Sequence, residues 1–217
     1  MTAGLFVSFE GPEGSGKTTQ IRLLAASLAE RGLPVVSVRE PGGTPLGERV
    51  RDLVLNSRDL EIQARAEALL FCAARAQLVE QVIRPALARD EIVLADRFTD
   101  STRAYQGRGR GLDSLGLAGV LSFATAGLTP TLTILLDLPV EIGLQRRRTN
   151  RQEWNRLDDE ALDYHRVVRT AFLDLAAAET ERWLVLDAAG PPDDLAPPIL
   201  ASVVQAWTSR ATQGSVV

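Results

Sequence analysis

The sequence predicts an α/β fold, a three-layer domain in which helices flank a five-stranded parallel sheet. Three observations carry that expectation. Five short apolar runs recur along the chain, helical stretches separate them, and a glycine-rich loop joins the first run to the first helix. The runs are "GLFVSFE" (Gly4 to Glu10), "PVVSVRE" (Pro34 to Glu40), "EIVLAD" (Glu91 to Asp96), "TLTILLDL" (Thr131 to Leu138) and "RWLVLDA" (Arg182 to Ala188). Each is rich in Val, Ile or Leu and nearly unalternating, the pattern of strands covered on both faces. Strands that alternate with helices give a parallel sheet with right-handed crossovers.

The elements between the strands follow from spacing. "KTTQIRLLAASLAERG" places Leu23, Leu24, Ala25 and Leu28 on one helical face, and Gly32 supplies the stop. Further helices are expected over about 46–55, 61–90, 114–125, 140–149, 159–180 and 194–209. "DSLG" (Asp113 to Gly116) reads as a helix start, and "GPPDDLAPP" (Gly190 to Pro198) as a turn into the last helix. Ligands of such sheets bind beyond the carboxyl ends of the strands. Glu10, the glycine loop, residues 39–43, Asp96 with Arg97, Asp137, and Asp187 with Ala188 are therefore expected at one edge.

The totals narrow the class. The 217 residues suit one domain, 1–217, with one core. Apolar residues at 45% and charged residues at 24% are ordinary for a soluble protein, and no apolar run is long enough for a membrane span. A single cysteine, Cys72, allows no internal disulfide, so a reducing cytoplasm is the expected location. A net charge of −4 argues against a general nucleic-acid surface. Of 24 basic side chains, only Lys17 is a lysine. An ammonium is a compact point charge and a guanidinium a wide fork, so a tight backbone cradle between phosphates selects lysine.

That lysine lies in "EGPEGSGKTT". Gly11, Pro12, Glu13, Gly14, Ser15, Gly16, Lys17 and Thr18 fit the pattern G-x-x-x-x-G-K-[ST] between a strand and a helix, the phosphate-binding loop of a P-loop NTPase fold. Backbone N–H groups and the helix N-terminus face phosphate oxygens there. Lys17 bridges the outer phosphates of ATP, the Thr18 hydroxyl ligates Mg²⁺, and Asp96 at a strand tip helps hold the ion. A glycine-rich turn that binds nothing is the bland alternative, and the spacing and context weigh against it.

The acceptor is a separate question. A guanine-reading Asn-Lys-x-Asp of a GTP switch needs a second lysine, which the chain lacks. A small-molecule kinase needs further anion binders and a closing arginine-rich segment. "GLQRRRTNRQEWNR" (Gly143 to Arg156) supplies Arg146, Arg147, Arg148, Arg151 and Arg156, more than a helix C-terminus requires for its dipole. It is expected to act as a lid, over about 143–158, that excludes water and stabilises charge during transfer.

Five motifs in order resemble the thymidylate kinases, bacterial type, from about Leu5 to Asp187: "FEGPEGSGKTTQ", "VREPGGTPLGE", "ALLFCAARAQ", "LADRFTDSTRAYQGRGRG" and "RRRTNRQEWNRLDDE". The resemblance implies transfer of the ATP γ-phosphoryl group to thymidine monophosphate (dTMP), giving ADP and dTDP for dTTP synthesis, by a homodimer that needs Mg²⁺. It implies that Phe71 stacks on the base and Arg75 hydrogen-bonds a base carbonyl. An aromatic face is a platform for a base, and an arginine four residues on lies on the same side of the helix. By itself the pair also reads as a core phenylalanine and a surface arginine.

It implies further that Arg97 and Arg39 hold the acceptor phosphate, with Glu40 near the metal or the acceptor. Ser101, Thr102, Tyr105 and Gln106 line the base and sugar pocket, with Arg51 beside them. Glu13 aims at the sugar 3′-hydroxyl, which answers why an acid sits in an anion-binding loop. Where some members carry a basic catalytic residue in that loop, this chain has Gly14, so the catalytic cation is expected from the lid: Arg146, Arg148 or Arg151. Phe98 stands where Tyr or His is common, and "NRLDDE" moves the expected acidic anchor to Asp158. Residues 187–190 hold adenine by backbone. His165 is expected exposed and Cys72 packed. The rivals are a kinase for another nucleoside monophosphate or a sugar-like acid, and an ATP-binding module without turnover.

Overall fold

The computed structural model describes residues 4–149 and 154–213. Five strands form one parallel sheet, β1 (Leu5–Glu10), β2 (Val35–Arg39), β3 (Ile92–Asp96), β4 (Leu132–Asp137) and β5 (Trp183–Asp187), in the order β2-β3-β1-β4-β5. The chain passes from the central β1 to the edge strand β2, returns to β3 between them, and then crosses β1 to β4 and β5 on the other side. The first βα turn, which carries the glycine loop, thus lies at the centre of the sheet, where the winding diverges and ligands bind. β1 is buried along its whole length, as its unalternating pattern requires. β2 and β5 differ from that expectation: as edge strands they are only partly covered, and Val185 is exposed.

Helices α1 (Lys17–Glu30) and α9 (Pro192–Gln213) pack on one face around Val7, Phe9, Leu24, Leu28, Ile199 and Val203. The other face carries α2 (Pro45–Asn56), α3 (Ala64–Leu78), α6 (Ser114–Thr125) and α8 (Leu162–Ala178). α3 runs through a π-helical turn, Val79–Ile83, into α4 (Arg84–Ala88). α7 (Val140–Thr149) follows β4 and begins the arginine-rich segment expected to act as a lid, and a 3₁₀ turn lies at Arg156–Asp159. Asp113 caps α6 by accepting from the Gly116 N–H at 2.6 Å, as "DSLG" suggests.

One helical segment was not foreseen. α5 (Thr99–Thr102) continues into a π-helical stretch, Arg103–Gly109. Its sequence, "TDSTRAYQGRG", has glycines and no apolar period because its inward face is largely polar: Thr99, Asp100, Ser101, Thr102 and Gln106 are buried, with only Ala104 and Tyr105 joining the apolar core. π-helical insertions recur at functional sites.

Candidate active site

A cleft of about 1060 Å³ opens at the carboxyl ends of the strands. Of the strand ends expected there, the glycine loop, Arg39, Glu40, Asp96 and Arg97 line it. Glu10 lies buried beneath, and Asp137 faces away to pair with Arg169 at 2.7 Å.

The loop end is built of backbone. Lys17 Nζ donates to the carbonyls of Gly11 (3.0 Å) and Pro12 (2.9 Å) and to Ser15 Oγ (3.2 Å). Burial, followed by the charge of Arg97, lowers its pKa to about 8. Thr18 Oγ1 donates to Asp96 Oδ2 at 2.6 Å, so the two expected Mg²⁺ ligands already touch. Among the described residues no group of three or more His, Cys, Asp or Glu forms a metal cage. One hydroxyl and one carboxylate suit Mg²⁺, which keeps waters and arrives with phosphate.

Gly14 has φ +70°, and a Cβ there would run into the carbonyl oxygen of Gly143; a Cβ on Gly143 would likewise meet Glu13 O. The loop and the lid helix thus meet glycine on glycine. A side chain at position 14 has no room unless α7 moves.

The opposite end is built of side chains. Arg97 sits at φ +74°, a left-handed conformation rare outside glycine. From there its guanidinium reaches Glu13 Oε1 (2.8 Å), Tyr105 Oη (3.0 Å), Ser101 Oγ (3.0 Å) and Gly11 O (3.2 Å). Burial alone would raise the Glu13 pKa, but Arg97, Lys17 and Arg147 outweigh it and hold the carboxyl down at about 2. Glu13 is therefore a carboxylate that also accepts from the Tyr105 hydroxyl at 2.9 Å.

Phe71 and Arg75 both line the cleft. Arg75 is not a surface arginine: it is buried, pairs with Glu40 at 2.6 Å, and donates to Phe98 O (3.1 Å) and Thr102 Oγ1 (3.0 Å). Its Nη1 is buried without a partner among the described residues. Thr102, Tyr105 and Gln106 line the same end. Arg51 donates to Pro41 O at 3.0 Å, and Arg39 to Glu48 Oε2 at 2.9 Å.

The lid arginines divide by helical phase. Gly143 packs on the loop, so Arg146 and Arg147, three and four residues on, share its face and line the cleft. Arg146 donates at 2.9 Å to both Ala188 O and Ala189 O, on the stretch expected to hold adenine. Arg147 pairs with Asp158 at 2.5 Å and approaches Glu13 Oε2 at 3.8 Å. Arg148 stands apart from the cleft, stacked over Trp154 at 5.1 Å. Arg151 lies outside the described residues. Sequence reasoning passed over Arg147; the phase of Gly143 was the signal that could have found it.

His165 is a correction: it is 3% exposed, and its lowered pKa reflects that burial. Its helix reads as charged, but this position turns inward beside Tyr164, with ring centroids 5.7 Å apart. Cys72 is buried, as expected.

The chain is similar to known proteins along most of its length. A family model described as thymidylate kinase matches residues 9–199. The chain is 53% identical over 203 residues to a protein named thymidylate kinase from Deinococcus radiodurans, covering 94% of this chain and 98% of the relative. A second, from Thermomicrobium roseum, is 52% identical over 200 residues, covering 92% and 94%. The crystal structure of thymidylate kinase from Ehrlichia chaffeensis superposes with a TM-score of 0.71 at 31% identity, over 93% of this chain and 97% of that one.

Proposed function

The chain belongs to the thymidylate kinase family, and we propose that its cleft transfers the γ-phosphoryl group of ATP to the 5′-phosphate of dTMP, giving ADP and dTDP. The observation that carries this reading is the opposition, across one cleft, of an anion-cradling loop and a pocket containing Phe71, Arg75 and Gln106.

The reaction needs positioning and charge neutralisation rather than a covalent intermediate. Residues 11–18 cradle the ATP phosphates, and Lys17 exchanges its carbonyl partners for phosphate oxygens. Thr18 and Asp96 hold Mg²⁺, which when bound neutralises the outer phosphates. Arg97 and Arg39 hold the acceptor phosphate so that its oxygen attacks the γ-phosphorus in line with the leaving ADP. Glu13 accepts from the sugar 3′-hydroxyl while Tyr105 and Ser101 shape the sugar site. Phe71 stacks on thymine and Arg75 donates from its free Nη1 to the C4 carbonyl; Thr102, Gln106, Glu40 and Arg51 complete or support that pocket. Arg146 and Arg147 close over the phosphates, Arg148 stacks on Trp154, and Arg151 stays a candidate for a further catalytic cation.

Residues 1–217 form one kinase domain in this reading, with the lid inside it. We assign it to the cytoplasm, in dTTP synthesis; no described helix is long and apolar enough to cross a membrane. A homodimer is part of the reading, and exposed Leu115 and Phe123 on α6 are its candidate contacts.

ADP release with ATP and Mg²⁺ tests the proposal against dTMP, dUMP, UMP, dCMP, AMP, GMP and shikimate. Release with dTMP supports it. Release only with another acceptor discards the pocket assignment, and ATP binding without acceptor-dependent release leaves a binding module.

A further inference from the structure

Glu67, Phe71 and Arg75 occupy three successive turns of one face of α3. Phe71 and Arg75 reach the cleft, whereas Glu67 is fully buried behind it. A buried carboxylate requires partners, and this one has three. Glu67 Oε1 accepts from Gln106 Nε2 at 2.9 Å and Arg110 Nε at 3.5 Å, and Oε2 accepts from Arg156 Nη2. Each arginine is itself fixed. Arg110 pairs with Glu160 at 2.5 Å and stacks over Tyr164 at 4.8 Å, and Arg156 Nε donates to Val54 O at 3.1 Å.

The consequence falls on Gln106. An amide has a donor end and an acceptor end, and only the surroundings decide which way it turns. A carboxylate oxygen shared with a guanidinium offers an acceptor, so the Gln106 NH₂ must face it. Oε1 is then the end left for the cleft that Gln106 lines. Arg75 donates to Thr102, four residues before Gln106 on the same helical segment, and its Nη1 is a buried donor without a partner among the described residues. Donor next to acceptor complements the imide edge of a pyrimidine, where a C4 carbonyl adjoins N3–H. Cytosine reverses both positions, with an amino donor beside an N3 acceptor.

We propose that Glu67 is a specificity-determining positioning residue: by fixing the Gln106 amide it makes the cleft accept imide pyrimidines and reject aminopyrimidines. The proposal rests on the thymidylate reading of the cleft. It gives a role to a residue that never touches substrate.

The test is the ratio of kcat/KM for dTMP over dCMP in the wild type, Glu67→Gln and Glu67→Asp. The wild type should favour dTMP strongly. Glu67→Gln can present either end of its amide to Gln106, so the ratio should fall about tenfold or more as the Gln106 amide becomes free to turn. Glu67→Asp keeps the charge but draws the carboxylate back from its partners, Gln106 among them. It should lower the ratio in the same sense, and it carries the test if Glu67→Gln fails to fold. Equal proportional losses for the two nucleotides, with the ratio unchanged, would mean a merely structural role and overturn the inference. A wild type that turns over both nucleotides equally would overturn it too. A wild type inactive with dTMP would instead remove the function it rests on.

Discussion

The two ends of the cleft are built on different principles. The donor end is eight consecutive residues whose backbone does the holding, with one lysine resting on its own loop carbonyls. The acceptor end gathers side chains from separate parts of the chain, and its cations are already paired: Arg97 with Glu13 at 2.8 Å, Arg75 with Glu40 at 2.6 Å. Such a difference should separate chemistry from stability. Removing a donor-end side chain should cost rate alone, whereas removing an acceptor-end arginine should also strand a buried acid.

Lys17→Ala is the largest expected loss. Its kcat should fall about 10³-fold, the scale of losing a group that stabilises transferred phosphoryl charge. The fold should suffer little, because burial and Arg97 already depress the lysine pKa to about 8, and Glu13, which Lys17 helps to keep ionised, retains its ion pair with Arg97 at 2.8 Å. Thermal unfolding beside steady-state kinetics checks both halves. A large drop in Tm would end the contrast between the two ends.

Arg75→Ala should lose on both counts. We expect kcat/KM for dTMP to fall about 10²-fold, and stability to fall about 3–5 kcal/mol because Glu40 is left buried and unpaired. The double variant Arg75→Met with Glu40→Gln removes both charges. It should recover most of the stability and none of the activity, which denaturant titration and dTMP kinetics would register separately.

The same difference explains what was legible in the sequence. The sheet and the donor end were, because apolar runs and the spacing of the glycine loop are local signals that need no knowledge of packing. The helix containing Ser101 to Gln106 was not, since a helix whose buried face is largely polar has no apolar period to read. His165 was misplaced for a related reason: charged neighbours such as Asp163 and Arg166 describe the helix, not the one position that turns inward. Phe71 and Arg75 could be named only through resemblance, and their spacing alone left the arginine on the surface. Glu67 gave no local sign, because its partners lie on other elements.

The lid offers a smaller and sharper comparison within one helix. Arg147 shares the face of Gly143 and reaches Asp158 and Glu13, while the adjacent Arg148 stacks outward on Trp154. Arg147→Ala should lower kcat about tenfold or more and Arg148→Ala less than about threefold, as expected when only the first of these two cations faces the reacting phosphates. Single-turnover rates at saturating ATP and dTMP would read this directly. Equal losses would mean that the lid turns about its axis when it closes.

The smallest effect lies beneath the join of the two ends. Glu10 accepts from the Phe98 N–H at 2.8 Å and the Ser101 hydroxyl at 2.5 Å, and Ser101 in turn receives Arg97. Burial, then the charge of Asp100, raises the Glu10 pKa to about 8. A raised acid keeps its proton in the folded state after the unfolded chain has released it. Between the ordinary value of 4.5 and about 8, this residue therefore makes the protein less stable as pH rises, by on the order of 1 kcal/mol per pH unit. Glu13 works in the opposite sense: its stabilisation is present above 4.5 and is lost as pH falls toward about 2. Glu10→Gln keeps the shape, accepts from Phe98 and donates to Ser101, but cannot ionise. Denaturant unfolding at pH 6.5 and pH 8 should show the variant gaining on the wild type by about 1–2 kcal/mol at the higher pH. Parallel stability curves would show that Glu10 ionises in place, drawing on Arg97 rather than holding a proton, and the acceptor end would then carry one more charge pair than its geometry suggests.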